Sequence, residues 1–356
     1  MCPLKFSLFL LFSIVRFRAS SAVNHGRHRR QWADINWQAI WNTSQIQWHD
    51  LWASWTTSTS SPVTTRAPSS NGSGAGCGVQ APTFQPNLGS QRIINGQEAK
   101  PHSWPWAVAF IDNSNWFWQS FSCGGSLLRV RDGVESSDII LTAAHCVAQP
   151  QLSTNPQPVT PSSLTIVAGR HLSNVPGEYN QKRQASAILM HPDFVMTNDL
   201  IANDIAVVKL ARPVLFNDAI RPVCLPQQGD AIATNPTCVA AGWGRNNSKN
   251  QFETPEALQQ LVLQVHPAST CSRGWESMYK QELMICAGSL NAENGVCHGD
   301  SGSMLVCKQG ERWVQQGVVS FGVPGSCLEA KKPAVFARVS TYVDWIRQTL
   351  EQLSSL

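Results

Sequence analysis

Gly299-Asp300-Ser301-Gly302 decides how this chain reads, because two partners precede it in a telling order. His145 lies upstream in Thr142-Ala143-Ala144-His145-Cys146, and Asp204 lies between them in Asn203-Asp204-Ile205-Ala206. A serine hydroxyl is a poor nucleophile at neutral pH, so acyl transfer needs an imidazole to take its proton. It also needs a carboxylate to hold that imidazole in one tautomer. Taken singly, a His-Cys pair reads as structural and an Asp-Ser pair as a turn. Together, each in an apolar context, they predict Ser301 as nucleophile, His145 as general base and Asp204 as its orienting carboxylate.

The ends of the chain set the compartment. Residues 1–22 read as a signal peptide, with Lys5, an apolar run from Phe6 to Val15 and small residues at Ser20-Ser21-Ala22. That run is too short to span a membrane, and no other stretch approaches the required length. A secreted, extracellular protein is expected, and secretion makes disulfides expected too. Of the eleven cysteines, Cys2 leaves with the signal and ten remain, enough for five bridges. Spacing alone leaves their connectivity open. Neither Cys-x-x-Cys clusters nor histidine pairs at ligand spacing occur, so no metal and no cofactor is expected.

The net charge of +4 belongs to the N-terminal part. Residues 1–92 hold eight Lys/Arg and two Asp/Glu of the chain's 27 and 23, leaving 19 basic and 21 acidic residues, a net −2, for 93–356. Such a balance gives no reason to expect nucleic acid as a partner.

Residues 23–92 read as a non-globular pro-segment. Arg27-His28-Arg29-Arg30 is either a convertase site or a solvated basic run. A tryptophan-rich stretch, 31–55, follows. Five of its tryptophans (37, 41, 48, 52 and 55) fall within about 60° on a helical wheel. That face reads as a short helix docking on the C-terminal part of its own chain or on a copy of itself, or as an anchor for a partner or a membrane interface. A Ser/Thr-rich linker at 56–76 has the composition of an O-glycosylated stalk. Sequons at Asn42, Asn71 and Asn246 predict surface glycosylation. A sugar at Asn42 would weigh against membrane burial of the tryptophan face, so membrane contact is not expected.

From Ile93 the texture changes to short β-rich runs separated by Gly/Pro/Asn turns, among them Trp106-Ala107-Val108-Ala109-Phe110, Leu164-Thr165-Ile166-Val167 and Gly317-Val318-Val319-Ser320. This predicts an all-β sandwich or barrel, with helical periodicity only near the end, from Tyr342 to Leu353.

Eight segments in order now resemble the chymotrypsin/trypsin-like serine proteases across 93–356: Ile93-Ile94-Asn95-Gly96, Ser103-Trp104-Pro105-Trp106, Cys123-Gly124-Gly125-Ser126, the His145 and Asp204 segments, Ala241-Gly242-Trp243-Gly244, Gly299-Asp300-Ser301-Gly302 and Pro333-Ala334-Val335-Phe336. The resemblance implies two antiparallel six-stranded β-barrels with the site in the cleft between them, and a C-terminal helix. It implies an oxyanion hole from the N–H groups of Gly299 and Ser301. It also implies zymogen cleavage at Arg92-Ile93, after which the new amino group of Ile93 pairs with Asp300. The bridges it implies are Cys77–Cys224, Cys123–Cys146, Cys238–Cys307, Cys271–Cys286 and Cys297–Cys327. Protein or peptide substrates, protein inhibitors and an upstream trypsin-like activating protease are the partners it implies.

Three departures matter. Trypsin-like members carry an aspartate six residues before the nucleophile; here that position is Gly295, followed by Val296. A buried substrate cation would lack a counter-charge, so the pocket, with Ser320, Gly322 and Ala334, is expected to take an apolar side chain. Medium aliphatic residues are expected first, with Phe/Tyr close behind. Arg170 stands where calcium-binding relatives have a glutamate, so no calcium site is expected. Ser303-Met304 replaces the usual Gly-Pro, and Met304 is expected to perturb the turn. The loops 129–138 and 149–163 look long; the second is expected to rim the cleft. Trp116, Phe117 and Trp118 read as an apolar ledge or as ordinary loop packing. The rival to an active endopeptidase is a protease-like binding protein acting through its N-terminal segments.

Overall fold

A computed structural model describes residues 76–88, 96–112, 120–150, 152–173, 175–232, 236–245 and 255–354. The expectations for the signal peptide, Arg30, the tryptophan face, the linker, the three sequons, Arg92, Ile93 and 116–118 lie outside the described residues.

The strands are β1 (Gln97–Glu98), β2 (Ala107–Asp112), β3 (Ser120–Leu127), β4 (Ser136–Thr142), β5 (Thr165–Ala168), β6 (Gln181–Met190), β7 (Val195–Met196), β8 (Ile201–Ala202) and β9 (Ala206–Leu215) in the first half. The second half supplies β10 (Cys238–Gly242), β11 (Gln259–Leu263), β12 (Val265–His266), β13 (Met284–Ala287), β14 (Met304–Gln309), β15 (Arg312–Phe321) and β16 (Ala334–Arg338). Strands β2-β3-β4-β9-β6-β5 close into an antiparallel barrel. All four residues of β5 are buried, as are Ala206, Val207 and Val208 of β9, so these strands are covered on both faces. That explains why they read as continuous apolar runs rather than alternating ones.

The second sheet runs β1-β11-β10-β14-β15-β16-β13-β12. Its far members β11 and β12 are one strand interrupted at Gln264, so the sheet curls round and closes on itself. Six strands then make the second barrel, with β1 laid against β11 outside it. Closing both sheets leaves few unpaired edges.

Among the described residues two α-helices complete the fold. Helix α1 (Ala268–Trp275) corrects the expectation that only the C-terminus is helical. Eight residues containing Thr270 and Gly274 carry too little periodicity to read. The segment is held by the Cys271–Cys286 bridge and by Trp275, whose ring N–H donates to the Pro333 carbonyl at 2.8 Å. Helix α2 (Val339–Ser354) starts three residues before the expected boundary and buries Val339, Tyr342, Val343, Ile346 and Leu353, one face of a 3.6-residue period. Among the described residues no helix is long and apolar enough to cross a membrane.

One core spans both barrels: Met304, Val306, Trp313 and Val318 pack in the same cluster as Leu127, Ile140 and Val208. Polar pins cross it, with Ser126 Oγ donating to Gln315 Oε1 at 2.6 Å and Trp104 Nε1 donating to Gln260 Oε1 at 2.8 Å. Met304 is fully buried there, opposite Val318. The turn before it is intact, since Ser303 N donates to Asp300 O and Gly302 N to Val319 O, each at 2.9 Å. The flexible thioether fills the barrel junction instead of disturbing the turn.

Residues 76–88 are part of this unit, which spans Asn71–Leu356. Cys77 is bridged to Cys224, Gly78 N donates to Pro222 O at 2.8 Å, and Trp313 N donates to Gly78 O at 2.9 Å. Gln80 donates to the Ser103 carbonyl and accepts from Trp313 Nε1. Residues 76–88 are therefore docked against the second half of the fold.

Candidate active site

His145 sits on a tight 3₁₀ turn, Ala144–Cys146, directly after β4. Ala143 and Ala144, just before it, are fully buried. The Cys123–Cys146 bridge ties the turn to β3. Asp204 precedes β9 and is almost fully buried. Its Oδ1 accepts from His145 N at 2.9 Å and its Oδ2 lies 2.7 Å from His145 Nδ1. An ionised carboxylate only accepts, so Nδ1 carries the proton and Nε2 is left as the base.

Asp204 Oδ2 also accepts from Ser320 Oγ at 2.6 Å. Burial alone would push the Asp204 carboxyl up, but the His145 charge and the hydrogen bonds from His145 and Ser320 outweigh it and hold it below the usual range. Burial likewise works against a charged His145, yet the Asp204 carboxylate wins and raises the imidazole above its ordinary value. The pair is thus poised to stabilise an imidazolium.

Ser301 lies in a turn between the barrels. Gly124 N donates to Ser301 O at 2.8 Å, which fastens the turn to β3 and so to the disulfide beside His145. Gly302 has φ +77°, and a side chain there would lie 2.5 Å from Gly124 O. Only glycine allows that approach. Among the described residues no group accepts from the N–H of Gly299 or Ser301, so two backbone donors remain for a ligand oxygen.

Asp300 points away from this turn. Its carboxyl packs against Gly242 and Gly244, where any side chain would collide with it. It accepts from Gly244 N at 2.8 Å and Cys297 N at 2.9 Å. Burial pushes it up to about 6, the two N–H groups pulling the other way. Gly96, Gly244, Gly295 and Val296 line the cavity beside it.

Gly295, Val296, Gly322 and Ala334 lie together near the Cys297–Cys327 bridge, with Val296 and Ala334 buried in one apolar cluster. Ser320, expected among the pocket residues, donates its hydroxyl to Asp204 on the first barrel, whereas its neighbour Val319 packs in the second. The sequence carried no signal for this third donor to Asp204.

Beyond Gly322, the β7–β8 hairpin, Trp275, Phe321 and Lys332 line an open groove of about 630 Å³. The 149–163 loop pairs with this hairpin, Ser153 N donating to Met196 O at 2.7 Å. It braces the segment leading to Asp204. Arg170 is buried, and its guanidinium donates to the carbonyls of Leu172 (2.9 Å) and Ser173, placing a fixed cation in the turn after β5. Among the described residues two His/Cys groups lie at metal-ligand distances, Cys123-His145-Cys146 and Cys297-His298-Cys327, but every sulfur in them is in a disulfide. Such sulfurs are not thiolate ligands.

A family model described as Trypsin matches residues 93–346. Chymotrypsin-C of Bos taurus is 35% identical over 286 residues, covering 77% of this chain and 94% of the relative. Chymotrypsin-C of Mus musculus is 34% identical over 281 residues, covering 76% and 92%. With two closed barrels meeting at a buried Asp–His pair, and a family model matched over most of its length, this chain belongs to the trypsin family, the chymotrypsin/trypsin-like serine proteases.

Proposed function

We propose that the chain is a secreted serine endopeptidase, made as a zymogen, activated by cleavage after Arg92, that hydrolyses peptide bonds after apolar residues. The observation carrying this reading is the buried Asp204 carboxylate, 2.7 Å from His145 Nδ1 and closed off by Ser320. Ser301 Oγ attacks the substrate carbonyl carbon while His145 Nε2 takes its proton. The N–H groups of Gly299 and Ser301 hold the oxyanion; losing one such donor costs roughly 3–4 kcal/mol of transition-state stabilisation. Protonated His145 then gives its proton to the leaving amine, and water repeats the sequence on the acyl-enzyme.

Activation turns on Asp300. A carboxyl pushed to about 6 by burial is a receptive partner for the ammonium group that cleavage creates on Ile93. Their pairing orders the turn that carries Gly299 and Ser301. Removal of 1–22, sugars at Asn42, Asn71 and Asn246, and retention of the pro-segment through Cys77–Cys224 belong to the same reading.

The pocket argument is electrostatic. Gly295 offers no charge and Val296 and Ala334 are apolar, so a substrate Arg or Lys would be buried unpaired. The enzyme therefore does not cut after its own Arg92 and depends on a trypsin-like protease. Profiling the Arg92-cleaved protein on a peptide library should give cleavage after Leu, Val, Met, Phe or Tyr, and pure zymogen incubated alone should stay intact. Cleavage after Arg or Lys, or spontaneous processing at Arg92, contradicts the reading.

A further inference from the structure

A side-chain carbon built on Gly295 would lie 2.8 Å from Cδ2 of Leu328, closer than two carbon atoms approach. A methyl group of Leu328 thus stands where the first atom of a residue-295 side chain would project. Its position is held by chemistry on both sides. Leu328 follows Cys327, whose bridge to Cys297 brings the two Cα atoms within 5.1 Å. Gly295 is two residues before Cys297. Cys327 itself has φ +59°, and its N–H donates to Val323 O at 3.0 Å, closing the turn that launches Leu328.

Leu328 is half-buried. Val296, the neighbour of Gly295 in sequence, is buried with Ala334 in one apolar cluster. At the rim, a carbon on Gly322 would make only ordinary contact with Cys327 O, at 3.6 Å. The mouth is therefore open, while the far end is closed by a branched hydrocarbon.

We propose that Leu328 sets the depth of the specificity pocket, so that the enzyme selects medium aliphatic side chains over aromatic ones. This rests on the proposed reading of Gly295 as the pocket base. A cationic tip reaching the floor meets methyl groups, and an aromatic ring meets them before it is fully seated. A pocket that differs by one or two methylenes discriminates substrates by about tenfold or more.

The test compares wild type, Leu328→Ala and Leu328→Phe as full-length protein cleaved after Arg92, with active sites titrated so that misfolded material does not count. Each is given matched peptides differing only in the residue before the scissile bond: Val, Leu, Phe or Arg. Wild type should prefer Leu. Leu328→Ala should raise the Phe-to-Leu ratio of kcat/KM about tenfold or more, and Leu328→Phe should shift preference toward Val. A wild type that prefers apolar peptides, with ratios unchanged in both variants, overturns the role of Leu328 alone. A wild type that prefers Arg overturns the apolar pocket and the floor together.

Discussion

Replacing Asp300 by Asn removes a strained charge from the uncleaved protein, and the size of the effect follows from its surroundings. Packed against Gly242 and Gly244, the carboxyl sits at about 6 in the folded chain, against 3.8 for the ordinary group. Between those values the native state binds more protons than the unfolded state. Stability therefore falls as pH rises through that window, and the loss is complete above about pH 6. Two units correspond to roughly 2–3 kcal/mol, the lower figure allowing for the part of Asp300 that stays exposed. Asparagine cannot titrate, and its amide faces the Cys297 N–H with a donor, a pH-independent loss of about 1 kcal/mol. Urea unfolding of both proteins, uncleaved and with disulfides intact, should show the variant slightly weaker near pH 3.5 and stronger by about 1–2 kcal/mol at pH 7. Comparing the two cancels every other titrating group. A difference that stays flat with pH, or runs the other way, refutes the account of Asp300. After cleavage at Arg92 the same substitution should lower kcat/KM by about a hundredfold, the order expected when an oxyanion donor is misplaced.

Asp204→Asn should lower kcat about ten-thousandfold, the loss this change causes in serine-protease triads generally. Because Asp204 is what raises His145, the acid limb of the residual pH–rate profile should move to lower pH; an unmoved limb would show that another group governs it. Activated material should release its N-terminal chain on a gel only with reductant, because Cys77 is bridged to Cys224. Release of the fragment carrying Cys77 without reductant would contradict that tether.

Much of the site was legible because its chemistry needs particular residues: a serine, a histidine and a carboxylate in order, and glycines where backbones approach. The tetrapeptide around Ser301 carries both, since a side chain at Gly302 would strike Gly124 O. Position in the sheet was less legible. Ser320 was legible only as pocket lining; the bond from its hydroxyl to Asp204 is set by the docking of two barrels. Met304 looked like an intruder in a turn, yet its burial depends on strands far away in sequence. Helix α1 was missed because eight residues leave little periodicity and a disulfide supplies the stability. Leu328 carries no motif at all; only the bridge between Cys297 and Cys327 brings it to Gly295.

The central claim is that Ser301 becomes a nucleophile once the chain is cut after Arg92. A fluorophosphonate probe, applied before and after limited trypsin cleavage and located by peptide mass spectrometry, tests it directly. The account predicts strong labelling at Ser301 only in the cleaved protein, abolished by His145→Ala. Absence of labelling in material shown to be cut between Arg92 and Ile93 would contradict it and favour a protease-like binding protein.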